Sequence, residues 1–269
     1  MSKHILITGA TDGIGLLTAE KLVTQGHHVL IHGRNAKKLE AVKDKLIALD
    51  KGSVTSFQAD LSNLSEVRGL IQEITASVAH LDVIINNAGV YKTNAPVVEN
   101  NLDVRFVVNT IAPYLLTKHL MPLMPSTGRV VNLSSAAQAP VDFKALNGDY
   151  PIDNQLSAYA QSKLAITMWT RHLSKVLDDS SSIVIAVNPG SLLASKMVKE
   201  GFGMEGKDLS IGANILIKAS LDDSFKEASG LYFDNDIGQF SEPHQAALDA
   251  SQCERLVSVM EELSKPLSL

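Results

Sequence analysis

The chain has 269 residues, of which 45% are hydrophobic and only 5% aromatic, and its formal net charge is −5. This is the composition of a globular protein with an aliphatic core, and the acidic balance argues against a nucleic-acid-binding surface, which is usually basic. The single cysteine, Cys253, excludes an internal disulfide and a cysteine-rich zinc site, and no metal site is predicted. Without a visible signal peptide or an apolar stretch long enough to span a membrane, a cytoplasmic protein is expected.

The pattern of apolar residues predicts short strands that alternate with longer helices. Strands are predicted at 4–7, 28–31, 54–58, 81–85, 129–133, 183–187 and 230–233. Helices are predicted at 15–25, 37–49, 64–78, about 102–121, 156–177 and 209–221, with a loop at 136–154 and an amphipathic run at 245–263. The alternation predicts an α/β fold, a single-domain doubly wound (Rossmann) parallel sheet with helices on both faces, over residues 1–269.

A glycine-rich segment, TGATDGIG, joins the first predicted strand to the first predicted helix. Glycines allow a tight turn and a close approach of the backbone, and a helix N-terminus favours an anionic ligand such as a pyrophosphate. The spacing of the glycines differs from G-x-G-x-x-G, so the prediction of a pyrophosphate site rests on the position of the segment between a strand and a helix. A glycine-rich turn without a ligand is the alternative. The predicted ligand contacts here are Gly9, Asp12, Gly13, Ile14 and Gly15.

The second predicted strand ends in a basic sequence. Arg34, followed by Asn35, lies 21 residues beyond Gly13, where an acidic residue would hold the ribose of NAD. A guanidinium there can pair with a 2′-phosphate, so NADP is favoured over NAD. A solvated surface arginine is the alternative, and the negative charge of Asp12 nearby works against the NADP prediction.

A tyrosine and a lysine are placed for acid–base chemistry on the helix predicted after strand 129–133. Tyr159 and Lys163 are four residues apart and therefore share one helix face. A nearby ammonium and an oxidised nicotinamide favour the phenolate and would bring the tyrosine pKa toward the working range. Ser135 at the end of the strand can donate a hydrogen bond to a substrate oxygen on which charge develops.

Four segments in this order along the chain, TGATDGIG (8–15), NNAG (86–89), NLSS (132–135) and YAQSK (159–163), resemble the motifs of the short-chain dehydrogenase/reductase family. The resemblance extends to about Gly190. It implies hydride transfer between a nicotinamide dinucleotide and an alcohol or carbonyl, with Tyr159 as acid/base and Lys163 also holding the nicotinamide ribose. It further implies that Ser135 orients the substrate oxygen, with Ser134 as the alternative. Asn109 resembles the family's proton-relay asparagine, and a helix-kink or capping asparagine is the alternative.

The resemblance also implies further cofactor contacts. Asp60 and Leu61 resemble a pair that contacts the adenine, and Asn87, Ala88 and Gly89 would lie against the adenosine half. Pro189 and Gly190 resemble the nicotinamide-side turn, with Leu192 close to the carboxamide. Whether Ser191 or Ser195 supplies the hydroxyl that often follows this turn is left open, and a plain strand-ending turn is the alternative.

Two segments are predicted to face the substrate. The first, about 136–157, is longer than in most of the family and is similar to an insertion in the retinol-dehydrogenase-like branch. The second, 191–208, contains Met197, Phe202 and Met204 and is expected to form a mobile lid over an apolar pocket, or else a structural cover. A small, fairly apolar alcohol or carbonyl is the expected substrate, and no nucleic-acid partner is expected.

The leading hypothesis is therefore an NADP(H)-dependent carbonyl reductase or alcohol dehydrogenase. A catalytically silent dinucleotide-binding sensor or scaffold is the alternative, because fold alone does not decide activity. A lyase or epimerase on a similar fold is a third possibility, although such enzymes usually have longer chains. A homo-oligomer, associating through the helix of Tyr159, is expected from the resemblance alone.

Overall fold

Strands and helices alternate in the computed structural model, which describes residues 2–177, 182–194, 199, 203 and 205–265. The strands are β1 His4–Ile7, β2 His28–Gly33, β3 Ser53–Gln58, β4 Val83–Asn86, β5 Arg129–Leu133, β6 Ile183–Asn188, β7 Tyr232–Asp234 and β8 Gln239–Ser241. The helices are α1 Gly13–Thr24, α2 Ala36–Ile47, α3 Leu64–Ser77, α4 Val104–Phe106, α5 Ala112–Leu120, α6 Phe143–Leu146, α7 Gln155–Val176, α8 Leu209–Leu221 and α9 Ala250–Ser264.

The strands form one sheet in the order β3-β2-β1-β4-β5-β6-β7-β8. All neighbouring pairs from β3 to β7 are parallel, and β8 pairs antiparallel with β7. The chain order reverses between β1 and β4, and in such sheets ligands bind outside the carboxyl ends of the strands at this reversal. The doubly wound parallel sheet predicted from the alternation is confirmed.

Hydrophobic cores lie on both faces of the sheet, and successive strand residues contribute to opposite faces. Leu6 packs with α3, α5, α7 and α9 on one face. Its neighbours Ile5 and Ile7 pack with α1, α2 and α8 on the other. Because both faces are buried, the inner strands are mostly apolar, and polar side chains such as Asn86 and Asn188 stand where the strands end.

Asp and Asn side chains fix the helix starts that face this edge. Asp12, Asn35 and Asn63 precede α1, α2 and α3, and the side chain of each accepts a hydrogen bond from a backbone N–H of the first turn. This is the usual N-cap arrangement, which satisfies donors that have no partner inside the helix. Three helix N-termini are thereby held at the carboxyl edge of the sheet.

The structure departs from the predicted elements in three places. The helix predicted at about 102–121 is interrupted by a π-helical turn, Val107–Ile111. The predicted loop at 136–154 contains the one-turn helix α6, and the strand predicted as the last is followed by β8. Each element is only three to five residues long, too short for a distinct apolar period. The amphipathic run at 245–263 forms α9, which packs on α7.

Candidate active site

A cavity of about 600 Å³ opens at the carboxyl edge of the sheet. Most residues predicted to contact the cofactor line it, namely Gly9, Asp12, Gly13, Ile14, Gly15, Arg34, Asn35, Asp60, Leu61, Asn87, Ala88, Gly89, Tyr159, Lys163 and Pro189. Four predicted site residues, Asn109, Ser135, Gly190 and Leu192, are not among the residues that line it. The structure thus brings distant segments of the chain to one cavity.

The glycine-rich loop after β1 packs directly against the segment after β4. Gly9 has a φ of +66°, and a Cβ there would lie 2.8 Å from the Cα of Ala88. The Asn87 side-chain amide donates to the Thr8 carbonyl at 2.8 Å and the Gly9 carbonyl at 3.0 Å. A Cβ on Gly15 would lie 2.4 Å from Asn87 Nδ2. These glycines are therefore required for the contact between the two segments as well as for the turn.

His32, at the end of β2, is a supporting residue that sequence reasoning missed. Its Nδ1 accepts a hydrogen bond from the Gly9 N–H at 3.2 Å, so Nε2 carries the proton and donates to the Ala59 carbonyl at 3.0 Å. Burial lowers the pKa of His32 to about 4. A neutral imidazole therefore ties the glycine loop to the ends of β2 and β3.

Two cations lie on the cavity wall after β2. Arg34 is exposed and lines the cavity as predicted, and Lys38, one helical turn later, lines it as well. The Lys38 Nζ is 3.7 Å from an Asp12 carboxylate oxygen, which offsets the negative charge of Asp12. Asn35 caps α2 by accepting from the Lys38 N–H at 3.0 Å. The i, i+4 spacing of Arg34 and Lys38 could have revealed this second cation.

The residues predicted to contact adenine follow β3. Asp60 Oδ1 accepts from both the Ser62 N–H and the Ser62 hydroxyl, at 2.9 and 2.7 Å, while Leu61 is buried. Both Asp60 and Leu61 line the cavity. The turn fixes the carboxylate of Asp60 at the cavity wall through its Oδ1.

Ser135 and Tyr159 meet beside the cavity. The Ser135 hydroxyl accepts the Ala137 N–H at 3.1 Å, and the Ser135 side chain lies near enough to the Tyr159 hydroxyl to lower its pKa. Ser134, the alternative candidate, is buried and its hydroxyl contacts the Lys163 carbonyl at 3.2 Å and Thr167 Oγ1 at 2.7 Å. Ser134 lines the cavity but its hydroxyl is already engaged, whereas Ser135 lies beside Tyr159, so Ser135 stays the predicted serine and Ser134 the alternative.

Neighbouring side chains hold Ser135 in place. The Ser135 carbonyl accepts hydrogen bonds from Gln138 Nε2 at 2.9 Å and from the Tyr232 hydroxyl at 3.2 Å. Gln138 Oε1 in turn accepts from the His244 N–H at 3.0 Å. These contacts join the inserted segment 136–157 to the C-terminal part of the chain. The local sequence pattern could not predict them, because the partners are far apart along the chain.

Burial shifts the pKa values of both titratable residues in this group. It raises the pKa of Tyr159, and the hydrogen bond with Ser135 only partly opposes it. It also lowers the pKa of Lys163 to about 8. The Lys163 Nζ lies 5.7 Å from the centroid of the Tyr159 ring and donates to the Leu133 carbonyl at 2.7 Å. The shift of Tyr159 is opposite to the one expected from Lys163, because burial dominates.

Asn109 lies in the middle of the π-helical turn and is completely buried. Its side chain accepts from the Val90 N–H at 2.8 Å and donates to the Val90 carbonyl at 2.9 Å and to Ser162 Oγ at 2.9 Å. Residue 113, which would normally donate to the Asn109 carbonyl, is proline and has no N–H. The side chain thus fixes the loop after β4, while the carbonyl lacks its usual helical donor.

The turn after β6 reaches the cavity through Pro189. Gly190 has a φ of +118°, and Leu192 has a φ of +56° and is 37% exposed. The Ser191 hydroxyl donates to Asp236, so it is already engaged. Of the residues predicted for the lid and its hydroxyl, Ser195, Met197, Phe202 and Met204 lie outside the described residues.

Known proteins are similar to this chain. The short chain dehydrogenase family matches residues 3–205. The chain is 31% identical to the short-chain dehydrogenase TIC 32 A, chloroplastic, of Brassica napus, over 95% of this chain and 87% of that one. It is 30% identical to human retinol dehydrogenase 13, over 86% of this chain and 76% of that one.

A solved structure shares the fold. The crystal structure of the landomycin C-6 ketoreductase LanV with bound NADP and rabelomycin has a TM-score of 0.68 and 26% identity, over 88% of this chain and 95% of that one. None of the helices in the described residues is long and apolar enough to cross a membrane. The chain belongs to the short-chain dehydrogenase/reductase family and is similar to its retinol dehydrogenases.

Proposed function

We propose that this chain is an NADP(H)-dependent oxidoreductase that interconverts a carbonyl and an alcohol, with Tyr159 as the acid/base. One observation carries the proposal. Tyr159 and Lys163 line a cavity whose wall elsewhere carries the cations Arg34 and Lys38, and Ser135 lies beside Tyr159. A binding protein without turnover needs the cations that hold the dinucleotide, but it has no use for Ser135 beside Tyr159.

The cavity fits a phosphorylated dinucleotide. The first residues of α1 line it, where N–H groups and the helix dipole favour a pyrophosphate. Arg34 and Lys38 suit a 2′-phosphate, and LanV, one of the similar ketoreductases, was solved with NADP. Lys163 is 4% exposed and has one acceptor, the Leu133 carbonyl, so two of its N–H donors remain for a ribose. NADP is therefore the proposed cofactor.

The proposed chemistry divides between cofactor and protein. When bound, the nicotinamide supplies or accepts the hydride. The Tyr159 hydroxyl donates a proton to the carbonyl oxygen in reduction and accepts it in oxidation. Ser135 donates a hydrogen bond to the same oxygen, and the Lys163 ammonium stabilises the phenolate that forms when Tyr159 gives up its proton. The raised pKa of Tyr159 keeps it protonated at neutral pH, as an acid for reduction requires.

Replacing the Tyr159 hydroxyl tests this chemistry. NADPH oxidation is measured with a panel of aldehydes and ketones for the wild type, Tyr159→Phe and Tyr114→Phe. Tyr159→Phe should lower kcat by about 10²–10⁴-fold, the usual contribution of a general acid, and leave NADPH binding within a few-fold. Tyr114→Phe removes an equivalent hydroxyl, one that bonds Glu261 on α9, and should keep full turnover. Full activity of Tyr159→Phe would refute the mechanism, and cofactor binding without turnover by the wild type would support the sensor alternative.

Replacing the two cations tests the cofactor choice within the same proposal. Arg34→Ala and Lys38→Ala should each weaken NADPH binding by about tenfold or more, as for the loss of a charge-assisted contact, and change NADH binding little. Lys37→Ala is the matched control, because Lys37 is exposed and does not line the cavity. Equal or tighter binding of NADH by the wild type would contradict the choice of NADP.

Three expectations from the sequence remain predictions beside this proposal. They are the fairly apolar character of the substrate, the homo-oligomer and the cytoplasmic location. The cavity wall near Tyr159 is mixed, since it includes Val90 and Val108 together with Lys92 and Thr93. The aldehyde panel should therefore contain matched short polar and long apolar compounds, and a preference for the polar ones would refute the first expectation.

A further inference from the structure

The turn that follows β7 contacts the turn that follows β6 at three consecutive residues. Asn188 at the end of β6 donates from its side-chain amide to Asp234 at 2.8 Å and to Asp236 at 2.9 Å. Between these, the Asn235 side chain donates to the Pro189 carbonyl at 2.9 Å. Pro189 lines the cavity, whereas residues 234–236 do not. The turn after β7 therefore supports the cavity wall from behind.

Asp236 makes the most extensive contacts of the three. One of its oxygens accepts the Ser191 N–H at 2.8 Å, and the other accepts the Ser191 hydroxyl at 2.5 Å. The Lys207 Nζ lies 4.0 Å from Asp236 Oδ1. One carboxylate thus contacts both the beginning and the end of the substrate-facing segment 191–208.

The two ends of this segment are also joined by their backbones. The Ala194 N–H donates to the Lys207 carbonyl and the Lys207 N–H to the Leu192 carbonyl, both at 2.7 Å. Gly206 has a φ of +79°, and a Cβ there would lie 2.7 Å from the Cα of Ala194. We call residues 191–194 and 205–208 the stem. The stem is closed by backbone bonds, and Asp236 connects it to the body of the protein.

The surroundings of Asp236 keep its side chain negatively charged. Burial raises the pKa of this carboxyl, but hydrogen bonds from Ser191 and Asn188 and the charge of Lys207 outweigh it and hold the pKa below its ordinary value. Asp236 is therefore a carboxylate at neutral pH, able to accept all of its hydrogen bonds at once.

We propose that Asp236 is a positioning residue for the nicotinamide half of the cofactor, acting through the Pro189–Ser191 turn and the stem. The inference rests on the proposed function, because it takes the cavity as a dinucleotide site. Asp236 does not line the cavity, so its effect passes through Ser191, Lys207 and the backbone hydrogen bonds of the stem. In the proposed function the adenosine half would lie against the segments after β1, β2 and β3, whereas the contacts of Asp236 are with Asn188, Ser191 and Lys207.

Two ligands separate positioning at one end from a general structural role. NADPH contains both halves, whereas 2′,5′-ADP carries the adenosine and the 2′-phosphate without the nicotinamide. Dissociation constants of both are measured by calorimetry on the full-length chain for the wild type, Asp236→Ala and Asp236→Asn. We expect Asp236→Ala to weaken NADPH about tenfold and 2′,5′-ADP less than twofold, with a lower kcat in NADPH oxidation. Asp236→Asn keeps one acceptor oxygen, so its dissociation constant for NADPH should lie between those of the wild type and Asp236→Ala.

Asp249→Ala is the matched control. Asp249 accepts the N–H and the hydroxyl of Ser251 at 2.9 and 2.7 Å, the same pair of contacts, but caps α9 away from the cavity. It should change neither dissociation constant. If Asp236→Ala fails to fold, Ser191→Ala and Lys207→Met remove the hydroxyl contact and the ion pair separately, and each should weaken NADPH selectively.

The outcomes divide clearly. Equal weakening of both ligands in the Asp236 variants, or no weakening of either, would overturn the inference while the proposed function stands. Failure of the wild-type chain to bind either ligand would overturn the proposed function, and the inference with it. Selective weakening of NADPH, with Asp249→Ala unchanged, is the result that supports the assignment.

Discussion

The His32 imidazole holds the glycine loop through a bond that requires a neutral ring. A protonated His32 could no longer accept the Gly9 N–H, and its charge would be buried without a carboxylate in direct contact. Its pKa of about 4 in the folded chain lies below the ordinary 6.5 of the unfolded chain. Folding therefore opposes protonation of this residue, and the loop that would hold the cofactor pyrophosphate is linked to pH.

The sign of this linkage gives a prediction. The contribution of neutral His32 to the free energy of unfolding is complete above pH 6.5, falls as the pH drops toward 4, and is lost below it. The full change is at most about 3.4 kcal/mol, at 1.36 kcal/mol per pKa unit. Urea unfolding at several pH values between 7 and 4 measures it.

His32→Gln is the comparison for this prediction. Glutamine can keep a donor toward the Ala59 carbonyl, and it does not titrate, so its stability should fall less steeply across the same pH interval. Other titrating groups are common to both chains and cancel in the difference. Parallel stability curves for the wild type and His32→Gln would contradict the prediction.

Among the elements, α9 covers the helix that carries Tyr159. Leu256 and Met260 on α9 are completely buried in the core that includes α7. Glu261 on the same helix hydrogen-bonds Tyr114 and Lys118 of α5. The face of α7 that packs on α9 is therefore unavailable to a partner, so any homo-oligomer formed through α7 would have to use another face.

The packing of α9 can be measured with one substitution. Met260→Ala removes a fully buried side chain and leaves a cavity, so it should lower the free energy of unfolding by about 2–5 kcal/mol. Ser258→Ala is the control, because it changes an exposed residue on the same helix and should stay within about 0.5 kcal/mol. Urea titration of the three chains tests this, and equal stabilities would mean that α9 does not contribute to the core as described.

In the molecule as a whole, the cavity joins strands from both halves of the sheet. Its wall includes Gly9 and Arg34 after β1 and β2, and Tyr159, Lys163 and Pro189 from the part after β4. At 100 times its dissociation constant, NADPH should add about 2.7 kcal/mol to the free energy of unfolding. Hydrogen exchange should slow at 8–15, 86–90 and 133–135, where the strands end at the cavity, more than at 26–28 and 80–82 on the opposite edge. Equal effects on both edges would argue against binding in this cavity.

The features of this fold that depend on residues close together in the sequence could be predicted from it. Apolar strands, the helix-period pattern and the four-residue interval from Tyr159 to Lys163 are all local, and each predicted the corresponding feature. The contact of Ser135 with Tyr159 could be expected only through the family resemblance. The choice of Ser135 over Ser134 rests on the family motif and stays a prediction, because two adjacent hydroxyls have the same chemistry and differ only in direction.

What the sequence leaves hidden is long-range pairing. Asp236 meets Ser191 across 45 residues, and Tyr232 reaches Ser135 across 97. His32 is an ordinary strand residue until the loop of Gly9 is placed beside it. The π-helical turn at Asn109 has the same apolar pattern as an α-helix, so its extra residue leaves no periodic signal. Pro113, four residues later, does not reveal the π-helical turn either, because a proline is compatible with a kink or with the start of a helix.

The packing of α9 has a practical consequence for Cys253. This residue, the sole cysteine of the chain, lies on the buried face of α9 with 3% exposure, and its thiol lies 3.4 Å from the Ala247 carbonyl. Burial raises its pKa, which further slows its reaction with alkylating reagents. A thiol-specific probe can therefore react only when α9 detaches, and its rate of labelling records how often that happens. Labelling of Cys253 in the unaltered chain therefore measures the detachment of α9 without an engineered label.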